Sequence, residues 1–575
     1  MTKSPFLYSS AAIHLVVRRN SRALLAGVFL LGMWLSPVLQ VHAQETEIRF
    51  EDVTEQANID FIHRDGSSGK YYLVEAISGS LASFDYDRDG RVDLYFLNGA
   101  ALKGTSYPQA PLNQLHRNIG NFQFENVAEF SGLDDDAFSL GVSIGDYDND
   151  GFQDVYVTNM GPNVLFRNNG DGTFLHIEQK PLACGEKTGA GASMLDIDND
   201  GNLDIYAASY MKFDYAIPAS EFRGRLVYGG PLLYPKVQDD LLRNDGSGNF
   251  ANISEAAGIT MEKEWGMGTV CADFDGDGDT DIFVANDSTK NFLWINDGTG
   301  KFTETALFAG VAFDFQGDPQ GSMGVDVADL NADGWLDLFQ TAYTTQLATL
   351  YRNDEGFLFE DATRELGVGK GTFHPVNWGT GLGDFDNDGD KDVFISNGHI
   401  HDNMDDVNTA KYKCKNFIFE NLAGKRFIDI TDKAGNGTEP IESSRGSVQD
   451  DLDNDGKLDI VVVNSRLQST VMRNASLNSN NWIKLELIGT KTNRSGIGSQ
   501  VTVVSKQGSQ LLEVQSGKGY QSHFGSILQF GIGSDTQVEA VEVRWLGGEK
   551  QVFENLKPNT CYILREGDQT PFSVK

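Results

Sequence analysis

From about residue 81 to residue 474 the chain alternates short apolar runs with polar, glycine-bearing turns, and the whole pattern returns roughly every 60 residues. Each unit opens with a run of small residues, such as Gly141-Val142-Ser143-Ile144-Gly145 or Gly266-Met267-Gly268-Thr269-Val270. An acidic turn follows, then a β-branched and aromatic run such as Asp154-Val155-Tyr156-Val157-Thr158. A hairpin comes next: Leu165-Phe166-Arg167-Asn168 returns through Gly170 to Phe174, and Leu242-Arg243-Asn244 returns through Gly246 to Phe250. The unit therefore predicts four strands. Seven such units predict an all-β fold, a seven-bladed β-propeller, with its small-residue strands crowded around the axis.

The seventh unit ends at Val471-Met472-Arg473-Asn474 without its Phe-led fourth strand, while an unpartnered copy stands at Phe50-Glu51-Asp52-Val53-Thr54. We expect this segment to complete the seventh unit and close the ring, which removes exposed edges. Loss of residues 44–56 should then cost most of the stability. After Asn474 the pattern changes. Strands are expected at 481–487, 501–504, 511–514, 527–530, 538–545 and 560–564, forming a small all-β C-terminal domain. The expected boundaries are 44–476 for the propeller and 477–575 for this domain.

The acidic turns carry the chemistry. Each reads D-x-[DN]-x-D-G-x-x-D, with oxygen-bearing side chains at positions 1, 3, 5 and 9. The seven sets are Asp85, Asp87, Asp89 and Asp93; Asp146, Asp148, Asp150 and Asp154; Asp196, Asp198, Asp200 and Asp204; Asp273, Asp275, Asp277 and Asp281; Asp329, Asn331, Asp333 and Asp337; Asp384, Asp386, Asp388 and Asp392; and Asp451, Asp453, Asp455 and Asp459. Hard oxygen donors at alternate positions suit Ca2+, up to seven ions. These are not EF-hands, because strands follow the loops and no bidentate Glu stands at position 12, where Phe96 and Val157 lie.

The formal charge of the chain is −36, and the loops account for much of it. Such acidity argues against nucleic acid as a partner. The N-terminus carries Arg18, Arg19 and Arg22, an apolar stretch from Ala23 to Leu35, and Val41-His42-Ala43, which together predict a signal peptide over 1–43, with a retained membrane anchor as the alternative that the shortness of the apolar run disfavours. The mature protein is then secreted, periplasmic or held at the outer cell envelope, with no later membrane span. The four cysteines, Cys184, Cys271, Cys414 and Cys561, form no compact disulfide framework.

Other residues admit two readings. His399 and His401, with His374 or Asp405, could hold a transition metal or be satisfied loop histidines. His63 and Glu75 could line a site on one face or serve structure. The aromatic insertion from Tyr210 to Pro235 could present an interface or fold down as a packing flap. On the interface reading, replacing Phe213, Tyr215 and Phe222 with Ser spares folding. Gly517-Lys518-Gly519 reads as a turn. The chain has no nucleophile elbow, HExxH, Walker loop or dinucleotide fingerprint.

The loops with their flanking Gly and Phe resemble FG-GAP/VCBS repeats. Asn493-Arg494-Ser495-Gly496-Ile497-Gly498-Ser499, Gly517-Lys518-Gly519-Tyr520 and Val541-Glu542-Val543-Arg544-Trp545 resemble blocks of the ASPIC/UnbV domain. Repeats followed by this domain are similar to the cartilage acidic protein family and its bacterial relatives. The resemblance implies a secreted calcium-binding propeller. The functional expectation is a binding or adhesion scaffold for an extracellular or envelope protein or glycan. The alternative is a propeller enzyme, a carbohydrate lyase or hydrolase, with an axial site.

Overall fold

Four antiparallel strands make up each unit, because apolar runs of four to nine residues bounded by glycine turns can bury both faces only by stacking on neighbouring sheets. In the computed structural model, residues 47–406, 410–548 and 550–574 are described; the expected signal peptide lies outside them. The first unit is Leu81–Phe84, Asp93–Phe96, Gln114–Asn118 and Phe124–Asn126, paired in that order. Seven units of this kind occur among the described residues, and the strand Asp281–Thr289 of the fourth also pairs with Gln320–Ala328 of the fifth. The inner strand of each unit lies beside that of the next, and Ser444–Asp450 of the seventh lies beside Leu81–Phe84 of the first. The sheets thus form a closed propeller, and we call the units blades one to seven.

Two devices hold neighbouring blades together. The first is the crowding of small residues at the axis. A Cβ on Gly141 would sit 2.1 Å from the Ala190 carbonyl, one on Gly268 2.1 Å from Met323, one on Gly324 2.3 Å from Trp378, and one on Gly446 2.8 Å from Gly79. Only glycine permits these approaches. The second is an asparagine at the end of each third strand. Asn168, Asn244, Asn296, Asn353, Asn421 and Asn474 each donate through Nδ2 to a backbone carbonyl in the acidic loop of the preceding blade, at 2.8–3.0 Å. Asn118 donates in the same way to Leu452 of blade seven at 2.8 Å. These bonds are buried, so they face little competition from water.

The closing strand is Phe50–Asp52, which pairs antiparallel with Thr470–Asn474 and completes blade seven. Residues beyond Asn480 form two further four-stranded sheets. One is ordered Leu528–Gly533, Asn481–Ile488, Thr560–Arg565, Phe572–Val574; the other Gly508–Glu513, Gln500–Ser505, Val538–Arg544, Lys550–Leu556. Their inner faces supply Ile483, Leu485, Val501, Val541, Val543 and Phe553 to one apolar core, which continues into Met194, Leu203 and Ile205 of blade three.

This C-terminal region does not simply trail the propeller. Its loop from Gly517 to Gly525 lies against the inner strands. The Val325 and Gly519 backbones exchange hydrogen bonds of 3.0 and 2.7 Å, the Val142 N–H donates to Gln521, and the Ser83 N–H donates to His523. Ser193 donates to the Gly517 carbonyl, and the Gly525 N–H to Asp450. Tyr520, fully buried, stands edge-on to Trp378 and donates to the Ile77 carbonyl. The turn lies at Tyr520–Gln521, just past the expected Gly517-Lys518-Gly519, whose last two residues instead form β-bridges to Ser522 and Val325. The glycines allow close approach to the axis, and a Cβ on Gly517 would lie 1.8 Å from the Ala192 carbonyl.

Candidate metal centres

Each acidic loop joins the inner strand of a blade to its second strand. The fourth residue of the loop turns the chain through the left-handed region, at φ 58° for Asn149 and 57° for Asn199, which explains the recurrent Asn there. The first Asp then caps the turn. Its Oδ2 accepts the N–H of the glycine at position 6 in all seven loops, at 2.7–3.1 Å. The ninth-position Asp opens the second strand and is buried, 0–2% exposed in every blade. Its Oδ1 accepts the N–H of the inter-blade asparagine at 2.7–2.8 Å. Its Oδ2 accepts the N–H at position 2 at 2.9–3.2 Å. One carboxylate thereby ties a loop to its own hairpin, and the asparagine it holds ties that hairpin to the preceding blade.

The carboxylates at positions 1, 3 and 9 converge. Ligand atoms of Asp85, Asp87 and Asp93 lie within 4.8 Å of one another, as do those of Asp146, Asp148 and Asp154, of Asp196, Asp198 and Asp204, of Asp273, Asp275 and Asp281, and of Asp384, Asp386 and Asp392. The position 5 carboxylates stand beside them, with Oδ1 accepting the N–H of position 7, as Asp89 does from Arg91 and Asp277 from Asp279. Burial, together with the neighbouring carboxylates, pushes the acids up: Asp85 and Asp196 to about 6, Asp146 to about 7, Asp386 and Asp337 to about 8. Three convergent carboxylates, the ninth-position one fully buried and the third-position one mostly half-buried, are a good fit to a divalent cation.

A titration follows from these shifts. A carboxyl whose folded pKa exceeds its unfolded value of about 4 binds more protons in the folded state, so stability falls as pH rises between the two values. Metal-free protein in EGTA should therefore melt lower at pH 8 than at pH 5.5. Saturating calcium competes with the protons and should shrink or reverse that difference. Calorimetry at the two pH values checks it; a metal-free protein that is more stable at pH 8 would contradict the burial of unpaired acids.

Cations sit around the cages, and the sequence pattern had not flagged them. Arg117 lies 2.9 Å from Asp87, Arg167 3.8 Å from Asp148, and Arg243 against Asp198. All three occupy the position before the inter-blade asparagine. Two more come from the C-terminal region: Lys484 lies 2.8 Å from Asp451, and Arg544 contacts Asp273. The Arg494 N–H also donates to Asn149, and Ser495 accepts the N–H of Asp146. The C-terminal sheets therefore rest on the end of the propeller that carries the acidic loops.

The opposite end is built from the remaining connections, and most of the other candidates gather there. His63 accepts the Arg466 N–H at 3.2 Å and bonds Ser78. Glu75 accepts from Ser68 at 2.6 Å and from the Tyr228 hydroxyl at 3.4 Å. His401 stacks on Tyr228, and the His401 N–H donates to Nδ1 of His399 at 3.0 Å. Arg466 joins Asp65 and Asp402 at 3.2 and 2.9 Å. Burial lowers His63 and His401 to about 4 and His399 to about 3, far from the range of a general base at neutral pH. His374 touches Phe373, while Asp405 accepts the Tyr412 N–H, and the Tyr412 carbonyl accepts the His399 N–H at 2.9 Å. In the insertion, Phe213 and Tyr215 pack edge-on against Tyr72, and Tyr228 and Tyr234 are buried. Replacing Phe213 and Tyr215 therefore disturbs packing, contrary to the interface expectation for those two rings. Phe222 alone of the three is half exposed. The four cysteines are free thiols.

Comparison with known proteins agrees with the repeats. The FG-GAP-like repeat family matches residues 85–157, 146–207, 232–284 and 273–340, and the ASPIC and UnbV family matches residues 489–571. Cartilage acidic protein 1 of mouse is 28% identical over 279 residues, which are 47% of this chain and 40% of that protein. The human protein is 27% identical over 285 residues, 48% and 40% of the two chains. The chain thus aligns with two-fifths of the length of these relatives. Among solved structures, a lectin from Burkholderia pseudomallei superposes with a TM-score of 0.43 at 10% identity, over 70% of this chain and 97% of the lectin. An exotype rhamnogalacturonan lyase superposes with a TM-score of 0.30 at 13% identity, over 68% and 74%. Among the described residues, no helix is long and apolar enough to cross a membrane.

Proposed function

We propose that this chain, an FG-GAP-repeat protein with an ASPIC and UnbV domain, is an exported calcium-binding propeller that serves as a binding scaffold for a protein or glycan. The single observation that carries the reading is the convergence of the carboxylates at positions 1, 3 and 9 around a buried ninth-position Asp, repeated from blade to blade. Positions 1, 3, 5 and 9 would hold the ion. Calcium supplies charge neutralisation and fixes the turn; thiolate or imidazole donors, which select other metals, are absent from the loops. In this reading residues 1–43 are removed on export, 44–476 form the propeller, and 477–575 form the cap on its calcium end.

The scaffold reading draws on what the cap leaves open. The axis is occupied from the cap side by the loop around Tyr520, and the neutral histidines of the other end offer no base poised near pH 7. The open end carries the long connections, and on the 210–235 insertion Phe222, Leu226, Leu232 and Leu233 are 49–73% exposed. Exposed apolar groups clustered on a loop mark contact surfaces. Turnover of a glycan by purified protein would displace this reading in favour of a lyase or hydrolase.

Cage four provides the test of the ligand set. Asp281 accepts the N–H groups of Phe274 and Asn296 and is fully buried. Asp279 lies at position 7, half-buried, with its Oδ1 accepting from Asn199. Asp281→Ala should remove one calcium from the stoichiometry. It should also cost about 2–4 kcal/mol, because two buried N–H groups lose their acceptor. Asp279→Ala should keep the ion and cost less than about 0.5 kcal/mol. Metal analysis and urea unfolding read both effects, and equal losses would overturn the assignment.

A further inference from the structure

Blade five carries a second feature, at the open end and away from every acidic loop. The segments 312–320, 343–349 and 361–373 enclose a pocket of about 350 Å³. That size lies at the small-molecule end of ligand sites, roughly 300–1,000 Å³, and excludes a folded partner. Its walls are fixed before any ligand arrives. Asp314 accepts the N–H groups of Gln316 and Asp318, and Asp361 accepts that of Phe315. Thr345 is held at φ +68° with its N–H on the Phe373 carbonyl at 2.7 Å. It is the one β-branched residue with positive φ among the described residues. Such strain persists where surrounding structure imposes it, and it gathers at ligand clamps.

The lining combines two kinds of group. Phe315 and Phe373 are 50% and 44% exposed, large apolar rings turned to solvent. Around them the Asp318 carboxylate, the Gln316 carboxamide and the Thr345 hydroxyl line the pocket, with no hydrogen bond to another described side chain or backbone group. Arg364 lies 3.7 Å over the Phe315 ring and forms no ion pair among the described residues. The carboxylates of Asp314, Asp318 and Asp361 outnumber the one lining cation, Arg364, which disfavours an anionic ligand, and the free donors and acceptors suit a ligand rich in hydroxyls with one apolar face.

Resting on the scaffold reading above, we propose that this pocket binds one neutral pyranose ring of a glycan, its C–H face against Phe315 or Phe373 and its hydroxyls on Asp318, Gln316, Thr345 and Arg364. The mature protein in calcium, applied to an array of neutral glycans, acidic glycans and unglycosylated peptides, should retain neutral glycans. Titration calorimetry with a retained glycan should show at least tenfold weaker binding for Phe315→Ala and for Asp318→Asn, each with an unchanged melting curve. Thr345→Gly relieves the strained backbone while deleting the hydroxyl, so it should melt no lower than the parent and still bind more weakly. A merely structural role for Thr345 would not separate those two readouts. Retention of acidic glycans or peptides alone overturns the pocket's assignment. Neutral-glycan binding that survives all three substitutions also overturns it while leaving the scaffold reading standing. Failure to retain anything on the array overturns the pocket's assignment and leaves the scaffold reading standing for a protein partner alone.

Discussion

Chelating calcium with EGTA is expected to lower the melting temperature of the mature protein by on the order of 10 °C. The estimate follows from mass action. Extracellular calcium modules bind near 10⁻⁴–10⁻³ M, so at ~1 mM free calcium each site adds about 0.4–1.4 kcal/mol to the folded state. Seven sites together add about 3–10 kcal/mol, comparable to the whole stability of many domains. The ions also act where the blades join. The ninth-position carboxylate that would hold each ion is the one that accepts from the inter-blade asparagine, as Asp281 does from Asn296. Emptying the cages therefore loosens seams as well as turns. Scanning calorimetry with EGTA, then with calcium or magnesium restored, reads the effect. Recovery should favour calcium, because magnesium demands octahedral geometry and gives up its waters reluctantly. A melting curve indifferent to chelation, in protein shown by metal analysis to have been loaded, would sink the metal assignment.

Deleting residues 44–56 should cost most of the remaining stability. Phe50 is fully buried and stands edge-on to Phe385 at 5.4 Å. Its N–H donates to Ala434 at 2.7 Å, and the Val53 N–H donates to Val471 at 3.0 Å. Without this strand, Thr470–Asn474 becomes an open edge and blade seven loses its contact with the turn at Gly435, whose Cβ position is 2.4 Å from the Phe50 carbonyl. The single change Phe50→Ala should cost about 3–5 kcal/mol by opening a cavity at that contact. Both are measured by thermal unfolding in calcium. A deletion variant that melts like the parent would show that the ring holds without its closing strand.

Much of this architecture could be read from the chain because its signals are local. The strand Phe50-Glu51-Asp52 was recognisable as a missing fourth strand, and it pairs with Thr470–Asn474. The onset of the C-terminal sheets at Asn481 was visible from a change of pattern, although Lys550–Leu556 and Phe572–Val574 were missed, being half-exposed or edge strands with weak alternation. The acidic loops announced themselves by residue type and spacing. What stayed hidden depends on tertiary neighbours. The asparagine in Leu165-Phe166-Arg167-Asn168 looked like a hairpin residue, yet its amide bonds the Tyr86 carbonyl of another blade. Nothing near Gly517-Lys518-Gly519 in sequence says that this segment enters a propeller. Lys484 and Arg544 stand far in sequence from the loops, and only the fold lays them against Asp451 and Asp273.

The closing strand has a consequence for the order of events in folding. Arg49 and Ser476 meet across 427 positions of sequence. Entropy alone makes such a closure only modestly harder than a short one, since the cost grows with the logarithm of loop length. Synthesis imposes the stricter condition: the closing strand, made before every blade, has no partner until the end of blade seven has followed it. Every earlier species is an open arc with an unpaired edge at each end, so the ring gains its cooperativity in one late step.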